Sequence, residues 1–115
     1  MPETYKSFGT ILGTTAATTI YPGVVGTSIV NGIVLSNVNS LNNTTATVEL
    51  VKGSTAYSLI TGVAIPFSSS LQVLDSPVVL ESSNTLRASA GISNYIHVVV
   101  SVLEVTWHTF SFVYI

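Results

Sequence analysis

Residues 95–106 read YIHVVVSVLEVT, and no other stretch narrows the possible folds as much. Its residues are mostly β-branched or aromatic, so the run favours a strand over a helix. Ile96, Val98, Val100 and Val102 form one stripe at period two, and Tyr95, Val99, Leu103 and Val105 form the other. The small polar breaks, His97 and Ser101, share one face. At a rise near 3.3 Å per residue the run extends about 40 Å, longer than an ordinary strand. It is therefore expected to be a central strand, with neighbours on both sides satisfying its backbone.

The other apolar runs are short, rich in β-branched residues and separated by Gly, Asn, Ser and Pro. They place strands at residues 10–12, 18–21, 28–37, 45–51, 57–65, 71–73, 78–80 and 85–90, ahead of the long strand at 95–107. With no helical periodicity beyond a turn, the pattern predicts an all-β fold. The expected architecture is an antiparallel β-sandwich, jelly-roll-like, with extended N- and C-terminal segments. Residues 1–9 read as an N-terminal arm, 10–106 as the sandwich domain and 107–115 as a C-terminal aromatic strand or tail. Val48 and Leu50 face inward in one strand, and Leu86 shares a face with Ala88 in another. The run SIVNGIVLSN breaks the alternation, since Val30 and Val34 share one face and Ile29, Ile33 and Leu35 the other. Both of its faces are apolar, which predicts cover from outside its own sheet pair, by the N-terminal arm or another subunit.

A chain of 115 residues is one domain and can bury roughly 65% of its unfolded surface without metal or disulfide staples. It has no cysteine, which removes disulfides, thiolate metal sites and cysteine nucleophiles together. The charged residues are Glu3, Lys6, Glu49, Lys52, Asp75, Glu81, Arg87 and Glu104. They make up 7% of the chain, against about 25% in an ordinary soluble domain. Three cations cannot track a phosphate backbone, so nucleic acid is not an expected partner. A surface of Ser, Thr, Asn and Gly is easier to desolvate than one of Lys and Glu, and this favours a protein packed against copies of itself or a neighbour. No segment reaches the roughly 18 apolar residues of a membrane helix, so no membrane partner is expected. The opening MPETYKSFGT lacks a basic region followed by an apolar one, which predicts synthesis and first folding in a cytoplasm.

The residues give little to an enzyme. No G-x-S-x-G occurs, His97 and His108 lie in apolar or aromatic runs, and Glu49, Asp75, Glu81 and Glu104 are spread one per element. No catalytic residue, cofactor or metal site is therefore assigned. Arg87 is expected to pair with Glu81 or Glu104, either within the subunit or across a subunit boundary. Carbohydrate binding is the competing class, because Tyr and Trp beside Asn can stack a sugar, but the tyrosines and Trp107 are dispersed along the chain. The NNTT sequence holds N-x-[ST] acceptors at Asn42 and Asn43 and reads as a hairpin turn.

The stretch VVLESSNTLRASAGISNYIHVVVSVLEVT resembles the C-terminal half of small β-sandwich virion proteins of tailed bacteriophages. The resemblance rests on Leu80, Glu81, Asn84, Thr85 and Leu86 at an acidic turn, on Ala88, Ala90 and Asn94, and on residues 98–106. SIVNGIVLSNVNSLNNTTATVELV is similar to the first half, where a long strand, an Asn-rich turn and a second strand form a hairpin. It covers about residues 14–106. It implies a non-enzymatic virion protein, of capsid cement or decoration type, whose partners are the major capsid protein and copies of itself; the low charge and the strands apolar on both faces add the expectation of a trimer or other small closed homo-oligomer. A neck, tail or fibre-associated protein and a carbohydrate-binding adhesin module are the alternatives.

Candidate partner-interface residues fall at the two ends of the chain. Tyr5 and Phe8 are the anchors of the N-terminal arm. In WHTFSFVYI, His108, Phe110, Phe112 and Tyr114 alternate with Trp107, Thr109, Ser111, Val113 and Ile115, which puts an aromatic stripe on one face of an extended segment. Trp107 flanks that stripe. The segment reads either as one more core strand or as a strand lent to a neighbouring subunit or a capsid groove.

Overall fold

The computed structural model describes residues 3–105, which form nine strands and no helix. They are β1 (Glu3–Ile11), β2 (Thr18–Tyr21), β3 (Thr27–Asn37), β4 (Thr44–Lys52), β5 (Thr55–Ile65), β6 (Ser70–Gln72), β7 (Val78–Leu80), β8 (Thr85–Ala90) and β9 (Ile96–Val105). The larger sheet runs β1-β9-β3-β6, with β7 also paired to β3, and the smaller runs β2-β8-β4-β5. Every pairing is antiparallel. Strands adjacent in sequence mostly lie in opposite sheets, which is the jelly-roll arrangement with one of its usual eight strands divided into β6 and β7.

The long strand takes the position that its backbone requires. β1 pairs with β9 from Glu3↔Val105 to Ile11↔His97, and β3 pairs with its other side from Thr27↔Val105 to Asn37↔Ile96. Ile96, Val98, Val100 and Val102 are all buried, facing Val48, Leu86 and Ala88 of the smaller sheet in one hydrophobic core. Burial of this order, at roughly 25 cal/mol per Å² of apolar surface, is the main force holding the two sheets face to face.

Three expectations change. Residues 3–9 are not a free arm: they begin β1, a full-length edge strand on β9 of the same chain. β3 and β4 do not form a hairpin, because the Asn-rich connection carries the chain from the larger sheet to the smaller. Asn37 organises that crossing: its buried amide donates to the carbonyls of Asn42 and Ile65, both at 3.0 Å, and its Oδ1 accepts from the Asn39 amide. The local hairpin is instead β4–β5, closed by Gly53 and Ser54 between Lys52 and Thr55, with Gly53 at φ 61°.

The third change concerns β3, whose apolar residues do not divide between its two faces as a fixed alternation would have them. A β-bulge at Asn31 puts one extra residue between Val30↔Val102 and Gly32↔Ser101. The extra residue shifts the alternation by one, so Val30 before it and Ile33 and Leu35 after it all point into the core. The same irregularity explains why β6 and β7 are separate. β7 pairs with residues 28–30 of β3 and β6 with 34–36, leaving the bulge between them. There the Ile33 amide donates to Gln72 Oε1 at 2.9 Å, and the Val73 amide donates to the Ile33 carbonyl at 2.8 Å. β5, at the free edge of the smaller sheet, carries two further register shifts against β4 and a positive φ at Gly62.

Asn31 is exposed, so its side chain matters little while its presence as a residue matters greatly. Asn31→Ser is expected to change stability by less than about 0.5 kcal/mol. Deleting Asn31 turns Ile33 and Leu35 outward and should abolish the cooperative melt followed by circular dichroism.

Candidate interaction surface

The alternation that buries one face of β9 exposes the other, and the ladder register shows what lines up there. Tyr5 of β1 lies opposite Leu103 of β9, which lies opposite Ile29 of β3, which lies opposite Val79 of β7. This apolar row crosses four strands on the outward face of the larger sheet. Tyr5 is 78% exposed and Val79 54% exposed. A second row places Val99, 46% exposed, between Gly9 and Val34. Between the rows lie Ser7 and Ser101, so the face is shallow in its middle. Contiguous exposed apolar surface on a folded domain marks an interaction site more often than scattered single residues do.

The inward side of the same strands explains how β1 is held. Glu104 continues the buried stripe of β9 and is only 4% exposed. An ionised carboxylate in that position needs partners. Lys6, on the inward face of β1, reaches Glu104 Oε1 at 3.0 Å while its own side chain stays half exposed. Tyr21, fully buried at the end of β2, donates its hydroxyl to Glu104 Oε2 at 2.7 Å. The phenol has one hydrogen, so Ser28 Oγ, also 2.7 Å away, donates to the Tyr21 oxygen. One carboxylate thus ties β1, β2, β3 and β9 together. Burial pushes the Tyr21 phenol up to about 12, helped by its hydrogen bond to Glu104 and that group's negative charge, and opposed by the Ser28 hydrogen bond.

The expected interface residues separate. Tyr5 points outward and belongs to the apolar row. Phe8 does not anchor a neighbour: it is partly buried against this chain's own core, its ring centroid 5.1 Å from that of Tyr21 with the planes at 59°. Trp107, His108, Phe110, Phe112 and Tyr114 lie outside the described residues. Arg87 pairs with neither Glu81 nor Glu104. Its Nε donates to Glu49 at 2.7 Å, directly opposite on the neighbouring strand, while Glu81 faces Lys52 at 3.5 Å on the surface. The polar cluster around Glu104 escaped the sequence reading, although Glu104 stands in phase with Ile96, Val98, Val100 and Val102, and that parity was its one signal.

The described tyrosines have four different settings. Tyr5 is on the outward face, Tyr21 is in the core, and Tyr57 is exposed beside Leu50 and Lys52 on the smaller sheet. Tyr95 accepts a hydrogen bond from the Asn42 amide at 3.1 Å. They do not group into one stacking platform. Among the described residues no three His, Asp or Glu side chains converge as a metal site would require. Comparison of the chain with family models, with curated proteins and with solved structures found no match.

Two outcomes test the buried cluster. Glu104→Ala leaves the Tyr21 hydroxyl without its acceptor and should destabilise the fold by about 3 kcal/mol, whereas Arg87→Ala, at a partly exposed pair, should cost less than about 1 kcal/mol in the same urea titration. The pH response has a definite sign. An unfolded tyrosine ionises near pH 10 while folded Tyr21 keeps its proton to about 12, so the stability this site adds is complete below pH 10 and is lost between the two values. Over that window wild type should lose on the order of 2 kcal/mol more than Tyr21→Phe.

Proposed function

We propose that this chain is a non-enzymatic structural protein of a tailed-bacteriophage particle, of the cement or decoration type, which sits over joints between major capsid subunits and associates with copies of itself as a trimer or other small closed oligomer. The observation that carries the reading is the outward face of the larger sheet. A rigid jelly roll presents the apolar row Tyr5, Leu103, Ile29 and Val79 on a chain with only 7% charged residues. Such a face loses little by desolvation and gains from contact, which suits permanent lateral packing better than reversible encounter. The jelly roll is an architecture that viral capsid and lectin domains share, so the fold is compatible with the reading without selecting it. The pattern at residues 80–106 adds the resemblance to virion proteins described above.

The rigid body of the block supports such a role as well. β1 is fastened by the Glu104 cluster as well as by its ladder to β9, so the edge of the outward face is held in register while a partner packs on it. A protein that braces a shell has to transmit load through its own core without rearranging. Close packing of β9 against both neighbours and the smaller sheet meets that need.

Quantitative mass spectrometry of purified, salt-washed particles tests the proposal. A copy number comparable to that of the major capsid protein is the expected result. A copy number of a single ring would move the protein to the neck or tail, and absence from the washed particle would refute the virion reading.

A further inference from the structure

The outward face and residues 106–115 have complementary chemistry. Along β9 the outward side chains run from His97 to Val105 without an Asp, Glu, Lys or Arg, because Glu104 points inward; on β1 the cation Lys6 points inward as well, and Glu3, opposite Val105 at the border of the face, is the one outward charge of these two strands. Residues 106–115 likewise contain no Asp, Glu, Lys or Arg, and carry an aromatic side chain at nearly every second position from His108 to Tyr114. Bringing the two together desolvates no ion so long as Glu3, at the border of the face, stays in water.

Connectivity decides which chain supplies the segment. Val105 is itself an outward residue, opposite Glu3 and Thr27 at the border of the apolar face, and Thr106 follows it directly. To lie on its own face the chain would have to reverse at once. Reversals need residues that accept turn geometry, above all Gly, Asn, Asp and Pro, and residues 106–115 include none of them. By composition, a β-branched and aromatic run favours continued extension over a reversal. Nine residues at about 3.3 Å each reach about 30 Å, while the face across β1, β9, β3 and β7, at about 4.8 Å between strands, is about 15 Å wide. The segment is long enough to cross the same face on another molecule.

We propose that the outward face of the larger sheet is the seat for residues 107–115 of a second copy of this chain, laid against the Tyr5, Leu103, Ile29 and Val79 row with the aromatic stripe down. The inference concerns how two copies meet and does not rest on the virion reading. Exchange of the segment from copy to copy closes a small ring or pair when every face is filled, which is how a heterologous contact becomes a finite oligomer.

The absence of cysteine makes a direct test available. Full-length Val99→Cys and full-length Phe110→Cys are coexpressed, oxidised gently and run without reductant, and the experiment is repeated with Leu103→Cys in place of Val99→Cys. Cross-links between face variant and segment variant are expected at one or both positions, with none between Phe110→Cys and Ser54→Cys at the β4–β5 turn. Cross-links only between two face variants would mean that the face packs on itself, and would overturn the proposal. So would a monomeric internal disulfide in the double variant Val99→Cys with Phe110→Cys, which would mean that the segment covers its own face. Sedimentation gives the second readout: Phe110→Ala with Phe112→Ala should convert the oligomer to monomer with an unchanged melting temperature. An intact oligomer from that double variant, or a wild-type chain that sediments as a monomer, would refute the exchange.

Discussion

The fold depends on the two-sided pairing of β9. A strand of ten residues with a continuous apolar stripe cannot sit at a sheet edge without leaving main-chain donors and acceptors open along its length. β1 and β3 satisfy it from the two sides, and its inward stripe then fixes where the smaller sheet must pack. With β9 central, the strand that precedes it in sequence, β8, lies across the core, and the jelly-roll order follows from connections that cross between the sheets.

Two exceptions to simple alternation complete this plan. The bulge at Asn31 lets an otherwise two-faced strand present Val30, Ile33 and Leu35 to one core, and it does so where β6 gives way to β7. Glu104 places a charge where the stripe calls for a hydrophobe, and the sheet accommodates it because Lys6 and Tyr21 come from two other strands to meet it while Ser28, from a third, holds the Tyr21 hydroxyl. Both exceptions couple strands that are far apart in sequence. A local error in either would therefore be felt across the sandwich, through a shifted core in one case and an unpaired buried carboxylate in the other.

Much of the architecture was legible in the sequence. The all-β class, the central place of residues 96–105, the strands 18–21, 78–80 and 85–90, and the inward facing of Val48, Leu86 and Ala88 follow from period-two patterning and turn residues. The misreadings have specific causes. ETYKSFGTI is polar at most positions because an edge strand is wet on one side, so it looked like an arm, although Thr4, Lys6 and Phe8 share its inward face. A one-residue bulge is invisible to a fixed-period count, so Val30 was placed on the opposite face of SIVNGIVLSN from Ile33 and Leu35, whereas all three point into the core. Arg87 was matched to the wrong acids because pairing partners in a sheet are set by ladder register, which places Glu49 opposite it. The outward row of Tyr5, Leu103, Ile29 and Val79 was hidden for the same reason, since it joins four strands that only topology makes neighbours.

The register shifts in β5 have a consequence for how sheets of this protein can grow. A straight, fully extended edge invites another strand, and repeated addition of that kind leads to fibres. β5 carries two extra residues against β4 and a left-handed glycine at position 62, which bend its outer rim away from the flat geometry that a docking strand would need. The smaller sheet is thereby terminated on that side. Backbone shape alone thus disfavours strand addition at this rim, without spending a charged residue, in a chain that has very few to spend.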